Sequence, residues 1–377
     1  MTAEAALRHF GAAIQRVIGR GDLSRSECLE LFRQILRDEQ PELQQGALLG
    51  ALAAKGETPE EVAGVWQAVD ELDTRHVELG GDGPLVENCG TGMDRLKTFN
   101  ISSAAAVVAA AGGVRMARHG SRGLTSACGT VDLLEAVGVN VECDVATVAR
   151  SIRECGIGLF NGMSAEVHPR GLFRILARIR FGSVLNIAAS LASPCRPSHA
   201  VRGVHVPEAV RPVAAVMRAI GYHRAMVVHG FDRGEPGMDE LSTLGETLVH
   251  EIRPDGREEE YTLAPEDAGV ERAAYADIAS TGDPGLEADR FLHVLAGTGS
   301  AACTGITCLN AGAILYVAGR AGDLATGVRR SRELVRSGEA FATLCRWVRA
   351  QADADGRSLE RLRERARRLG LEDKVPL

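Results

Sequence analysis

Apolar residues recur at helical spacing through the first 75 residues. Leu7, Phe10, Ile14, Val17 and Ile18 share one face, and Cys28, Leu31, Phe32, Ile35 and Leu36 share another. Ser24 and Glu27 form an S-x-x-E signal before the second run, and Thr58-Pro59-Glu60-Glu61 marks a further helix start. These segments predict a small helical bundle over residues 1–78 with no chemistry of its own. Near residue 79 the pattern changes. Gly80-Gly81-Asp82-Gly83-Pro84 interrupts helix, and short strand-like runs then alternate with Ala-rich helical stretches. Strands are expected at Pro84–Cys89, Val114–His119 and Ala225–His229, with a buried helix at Ser103–Ala111. Such alternation predicts an α/β fold, a mainly parallel central sheet flanked by helices, over 79–161 and 186–350. Residues 162–181 return to an Arg-rich helical pattern, so about 162–185 is expected to join the bundle. From 351 to 377 a charged helical tail follows, read as a mixed-charge, solvated helix.

Composition narrows the chemistry. The 377 residues include 43 glycines and only 4% aromatics, which suits a fold whose backbone approaches a small ligand. A formal charge of −7 gives no global attraction to nucleic acid or an anionic membrane, so any phosphate must be met locally. The nine cysteines show no metal-ligand spacing, which points to free thiols in a reducing cytoplasm. No apolar run is long enough to span a membrane, and the N-terminus lacks the apolar core of a signal peptide.

Three clusters could carry chemistry. Gly90-Thr91-Gly92-Met93-Asp94 follows a predicted strand, and Asn100-Ile101-Ser102-Ser103 opens a helix. Backbone N–H groups freed by glycine, together with a helix N-terminus, make a phosphate or pyrophosphate cradle. The third glycine of a dinucleotide fingerprint and the Gly-Lys-Ser/Thr of a P-loop are both missing. Arg118-His119-Gly120-Ser121-Arg122-Gly123-Leu124-Thr125-Ser126 supplies cationic and hydroxyl donors at the end of a second strand. Gly237-Met238-Asp239-Glu240 places adjacent carboxylates in a turn, a donor set suited to Mg²⁺ shared with substrate phosphates.

In this order, with Thr98-Phe99-Asn100-Ile101-Ser102, Gly129-Thr130-Val131-Asp132-Leu133-Leu134-Glu135 and Asn310–Ala318, the clusters resemble anthranilate phosphoribosyltransferase. The resemblance runs from about residue 5 to 346. It implies a homodimer, each chain having a small helical domain beside a larger sheet domain. It also implies transfer of 5-phosphoribosyl from phosphoribosyl pyrophosphate (PRPP) to an aromatic amine, with Mg²⁺ and without an enzyme nucleophile. By resemblance, Gly90, Thr91, Gly92, Asp94, Thr98, Asn100, Ser102, Ser103, Arg118, Gly120 and Ser126 would bind PRPP, and Asp239, Glu240 and Ser102 would hold the metal. His119, Ser121, His168, Arg174 and Arg178 would face the acceptor.

Departures from the family gather on the acceptor side. The usual Lys-His-Gly-Asn is Arg118-His119-Gly120-Ser121, the second Gly of Gly-Gly-Asp is Met93, and the Lys of Ser-Ser-Lys-Ser is Ala127. The Gly-Pro-Leu-x-Asn-Pro segment becomes Ala189-Ser190-Leu191-Ala192-Ser193-Pro194. The arginine expected to grip the anthranilate carboxylate falls on Leu176 or Arg178 depending on the anchor used for counting, leaving Arg174 and Arg178 as candidates. A different aromatic amine or phenol is therefore an alternative acceptor. Two further alternatives are a non-catalytic nucleic-acid-binding relative, against the acidic balance, and a nucleoside phosphorylase, of which only Arg122-Gly123-Leu124 is an echo.

Overall fold

Ser24 and Glu27 cap reciprocally, the Glu27 N–H donating to Ser24 Oγ at 3.3 Å and the Ser24 N–H to Glu27 Oε2 at 2.8 Å. Thr58 and Glu61 repeat the arrangement, and the buried Glu61 also takes the Leu23 N–H and the Lys55 ammonium, each at 2.9 Å. These caps start two of the four leading helices: α1 (Ala3–Ile18), α2 (Arg25–Leu36), α3 (Glu42–Lys55) and α4 (Pro59–Asp73). The computed structural model describes residues 3–81, 83–92, 94–123, 128–233, 235–353 and 355–375.

The chain continues through β1 (Leu85–Cys89), α5 (Ile101–Ala111), β2 (Arg115–Gly120), α6 (Thr130–Ala136), α7 (Val145–Cys155) and β3 (Ile157–Asn161). Helices α8 (Leu172–Ile179) and α9 (Val184–Leu191) follow, then β4 (His199–Gly203), α10 (Val210–Ala219), β5 (Arg224–Asp232), β6 (Glu235–Met238), β7 (Thr247–Ile252) and β8 (Glu258–Leu263). Helices α11 (Tyr275–Ile278), α12 (Pro284–Leu295), α13 (Ala301–Val317), α14 (Leu324–Arg336), α15 (Glu339–Ala350) and α16 (Ser358–Arg368) complete it.

The chain divides into two compact units. One comprises Met1–His76, Gly162–Pro194 and Ala215–Gly221; the other comprises Val77–Asn161, Cys195–Ala214 and Tyr222–Leu377. In the first, residues 162–171 are not helical, although the Arg-rich pattern over 162–181 predicts helix from residue 162. They are tied instead to the end of α4: the Asp73 carboxylate accepts the Arg170 N–H at 2.5 Å and the Leu172 N–H at 2.6 Å, and only then does α8 begin. His168 Nδ1 lies 2.7 Å from the Asp73 carbonyl, and the Arg75 N–H donates to the Val167 carbonyl at 2.9 Å.

The second unit is built on a sheet of order β3-β2-β1-β4-β5-β7-β8, with β6 paired to β5. The five strands β1 to β5 are mutually parallel, while β6, β7 and β8 extend the sheet antiparallel. From β1 the chain winds outward to β2 and β3, then restarts beside β1 with β4 and winds the other way. The reversal opens a crevice beyond the carboxyl ends of β1 and β4, the place where open α/β sheets bind ligands. Ala-rich α5, buried from Ser103 to Ala110, packs against α13 and α15 and covers one sheet face.

The tail is not the freely solvated helix expected of it. In α16, Leu362 and Ala366 are fully buried and Arg365 Nε binds the Asp289 carboxylate at 2.8 Å. Only the opposite face is polar and open. Among the described residues, no helix is long and apolar enough to cross a membrane.

Candidate active site

At the carboxyl end of β1 the chain turns at Gly90, and at the end of β4 it passes Gly203. Asp239, on the turn after β6, lies against both: a Cβ on Gly90 would fall 2.4 Å from Asp239 Oδ2, and one on Gly203 would fall 1.7 Å from the Asp239 carbonyl oxygen. Only glycine permits this approach. The Asp239 carboxylate accepts the Gly92 N–H at 2.7 Å and the Thr91 hydroxyl at 3.2 Å, so it organises the Gly90-Thr91-Gly92 turn directly. Thr91 Oγ1 also stands 3.5 Å from His205 Nδ1.

Glu240 reaches the opening of α5, where its Oε1 accepts the Ser102 N–H at 3.1 Å. The Ser102 carbonyl takes Asn88 Nδ2 at 2.8 Å and a short hydrogen bond from the Arg118 guanidinium. Ser103 Oγ and Arg118 Nε are buried without a hydrogen-bond partner, so polar capacity remains where a ligand would lie. Asn100 leaves the N-terminus of α5 uncapped and uses its amide on the Cys128 carbonyl at 3.2 Å. Thr98 pairs with Ala279 in an isolated bridge beside the same helix. Gly120 ends β2, with His119 buried and Ser121 half-buried next to it. Ser126, expected to add a donor, lies outside the described residues.

Burial and the neighbouring Asp239 charge push Asp94 up to about 7 and Glu240 up to about 8. Lys97 Nζ, 3.3 Å from Asp94, offsets the first in part, and the Ser102 side chain and Arg118 offset the second. Asp239 and Glu240, adjacent carboxylates with only hard oxygen donors, are the kind of ligands Mg²⁺ takes. Among the described residues no group of three or more His, Cys, Asp or Glu side chains could hold a metal alone. Oxygens from a bound phosphate would have to complete the shell, as Mg²⁺ usually requires.

The acceptor candidates are placed differently. Arg174 donates to the Ile35 carbonyl at 2.8 Å and Gln45 Oε1 at 3.2 Å, and stands 3.1 Å from Asp38. Arg178, exposed, pairs with Glu42. His168 is buried against the end of α4. All three belong to the first unit, whereas the PRPP and metal candidates belong to the second.

Sequence reasoning missed the supports of the carboxylate turn. Asn310 on α13 accepts the Leu241 N–H and donates to the Leu241 carbonyl, both at 3.0 Å, fixing the residue after Glu240. Buried His229 places Nδ1 2.8 Å from the Val204 carbonyl and receives the Gly237 N–H at 3.4 Å. An amide within the apolar run Cys308-Leu309-Asn310-Ala311 was the available signal, since a buried polar side chain needs partners.

Two family models match the chain: the helical bundle domain of a glycosyl transferase family over residues 12–72, and the a/b domain of a glycosyl transferase family over residues 82–341. The anthranilate phosphoribosyltransferase of Methanothermobacter thermautotrophicus is 38% identical over 352 residues, covering 90% of this chain and 97% of the relative. That of Desulfosudis oleivorans is 35% identical, covering 89% and 96% respectively. The crystal structure of the Thermus thermophilus anthranilate phosphoribosyltransferase superposes with a TM-score of 0.80 at 34% identity, covering 90% of this chain and 99% of that one. The Saccharomyces cerevisiae enzyme in complex with PRPP and Mg has a TM-score of 0.79 at 21% identity over 91% and 98%, a likeness of fold.

Proposed function

The chain belongs to the anthranilate phosphoribosyltransferase family, and from that premise we propose that it transfers the 5-phosphoribosyl group of PRPP to anthranilate, a step of tryptophan biosynthesis. The observation that carries the reading is Asp239 seated against Gly90 and Gly203 where the sheet reverses direction. In the reaction the amine nitrogen forms a bond to C1 of the ribose as the bond from C1 to pyrophosphate oxygen breaks. Pyrophosphate leaves with the electron pair and the amine gives up a proton. No enzyme nucleophile is needed, so positioning and charge stabilisation are the protein's contribution.

Mg²⁺, when bound, supplies positive charge to the departing pyrophosphate; Asp239, Glu240 and the Ser102 hydroxyl are the residues proposed to hold it. The backbone at Gly90, Thr91 and Gly92, with Asp94, Thr98, Asn100, Ser102, Ser103, Gly120 and Ser126, is assigned to the phosphates and ribose. Arg118, buried with Nε unpartnered, adds a fixed cation in a low-dielectric setting, where its charge counts for more than in water. His119, Ser121 and His168 are assigned to the acceptor. Of the two arginines, Arg178 is the more available for the anthranilate carboxylate. Its exposed pair with Glu42 costs little to exchange, whereas Arg174 is engaged by three protein acceptors.

Ser121, in place of the family's Asn, favours a second reading in which another aromatic amine or phenol is the acceptor. A homodimer is also proposed, supported by the exposed apolar side chains of Phe173 and Phe181 on the first unit. All nine cysteines are free, as suits a cytoplasmic protein.

Pyrophosphate release with Mg²⁺, PRPP and a panel of amines and phenols tests the reading. Turnover with anthranilate is expected, and turnover only with another member of the panel selects the second acceptor reading. Asp239→Ala combined with Glu240→Ala is expected to abolish turnover with the fold intact by circular dichroism. Undiminished release by that variant removes the metal assignment.

A further inference from the structure

Between the end of β2 and the start of α6, residues 121–123 and Gly129 meet at a narrow neck. A Cβ on Gly129 would lie 2.3 Å from the Gly123 nitrogen and 2.8 Å from the Ser121 carbonyl oxygen, so the two sides of the neck touch backbone to backbone. One carboxylate closes it. Asp132 Oδ2 accepts the Gly123 N–H at 2.8 Å and the Gly129 N–H at 2.9 Å, while Oδ1 takes the Arg122 guanidinium at 3.2 Å. Capping α6 would require only the Gly129 contact. The bonds to Gly123 and Arg122 reach back nine and ten residues, to the strand exit rather than the helix. The Val131 N–H adds a third tie, donating to the Ser121 carbonyl at 3.2 Å.

Arg122 is therefore not a free cation for a substrate. Besides Asp132 it binds Glu135 at 2.8 Å and Glu142 at 3.3 Å, and Glu142 in turn accepts Asn161 Nδ2 at 3.0 Å from the end of β3. The carboxyl ends of β2 and β3 are linked through this network, and its centre is Asp132.

We infer that Asp132 is a positioning residue for the sugar-pyrophosphate site: its carboxylate locks Arg122 and Gly123 against Gly129 and so fixes the exit of β2, at Arg118 to Gly120, against the α5 opening. The inference rests on the proposed donor site, because it assigns Asp132 a role in presenting that site and none in the bond-making step. Asp132 touches no reacting atom. Its loss is felt in the affinity for PRPP, whereas loss of a group that stabilises the leaving pyrophosphate is felt in kcat.

The test uses the full chain with Asp132→Asn, which keeps the shape but weakens the double acceptor and removes the charge opposite Arg122. Titration calorimetry with PRPP and Mg²⁺ is expected to show affinity about tenfold weaker than wild type, the loss of one charge-assisted hydrogen bond. The KM for PRPP should rise in parallel, with kcat at saturation within about twofold. Trypsin supplies a readout independent of turnover. Cleavage after Arg122, followed by mass spectrometry, should accelerate in Asp132→Asn, and PRPP with Mg²⁺ should protect the wild type.

Wild-type affinity, KM and cleavage in the variant would overturn the inference, even with a lowered Tm. If the wild type itself neither binds PRPP nor is protected by it, the donor-site reading has failed, and the neck remains open to test by cleavage alone. Should Asp132→Asn not fold, Arg122→Gln leaves both backbone bonds in place. It is expected to weaken PRPP binding about threefold through the lost ion pair, and unchanged affinity there overturns the inference equally.

Discussion

Buried charge on this chain falls into two kinds that serve different ends. Asp94 and Glu240 are buried beside the Asp239 charge, and burial with that repulsion raises both. Glu87, on β1 beneath them, is only 1% exposed and has its own partners: the Tyr222 hydroxyl donates to it at 3.0 Å and the Arg202 guanidinium lowers its cost. Burial outweighs both and pushes Glu87 up to about 7. Between about pH 4.5 and 7 the folded state therefore holds a proton that the unfolded state has released, so stability falls as pH rises through that window. The contribution is fully present below the unfolded pKa and gone above the folded one. Glu87→Gln removes the titration. The stability difference between variant and wild type is expected to shift by about 2.5 kcal/mol in the variant's favour from pH 5 to pH 8, whatever its constant offset from the lost charge opposite Arg202. Urea unfolding of both proteins at the two pH values measures it, and parallel pH profiles would contradict the buried-proton account.

At the scale of elements, the candidate site depends on α13, a helix that contributes none of the proposed site residues. Asn310 on α13 holds both backbone groups of Leu241 and so sets where Asp239 and Glu240 stand. Asn310→Ala strands the buried Leu241 N–H and should cost about 1–3 kcal/mol of stability. It should also lower kcat/KM more than tenfold, with circular dichroism unchanged. Wild-type kcat/KM in a folded variant would mean that the hairpin holds the carboxylates without α13. What was legible in the sequence divides along the same line. The capping pairs Ser24–Glu27 and Thr58–Glu61 and the glycines around Gly90 obey local rules, so their positions could be read directly. The coil at 162–171 was only partly legible: Pro169 and Gly171 are local helix breakers, but the Asp73 carboxylate that holds its backbone stands far earlier in the chain. Asp132 was visible as part of a motif, but its bonds to Gly123 and Arg122 depend on a neck that spacing alone does not reveal. Asn310 and His229 act across the fold, and their partners are unknowable from neighbours in the chain.

For the molecule as a whole, the C-terminal segment has the most to add, since the matched family region ends at residue 341 and α16 lies beyond it. Its sequence reads as charge on a solvated helix, yet Leu362, Ala366, Leu371 and Val375 join the main core. Much of its basic charge is answered from nearby: Arg357 by Asp355 at 3.1 Å, Arg361 by Asp353 and Asp355, and Arg365 by Asp289 at 2.8 Å. Arg365 also reaches the carbonyls of Ala136 and Gly285, so it closes the far end of α6, the helix that carries Asp132. At the first residue of the tail, fully buried Gln351 accepts the Leu159 N–H at 3.0 Å and covers the open edge of β3. The tail is therefore a brace, and three of the arginines a nucleic-acid role would draw on, Arg357, Arg361 and Arg365, are already paired. A chain ending at Ala352 keeps Gln351 but loses α16. Loss of the core contacts of Leu362, Ala366, Leu371 and Val375 is expected to cost about 2–5 kcal/mol, the scale of a large-to-small core change, and to lower Tm by several degrees. Arg365→Ala should reproduce a smaller share of that loss through α6. A truncated chain that melts with the wild type, and loses instead a salt-sensitive affinity for single-stranded DNA, would reverse the assignment.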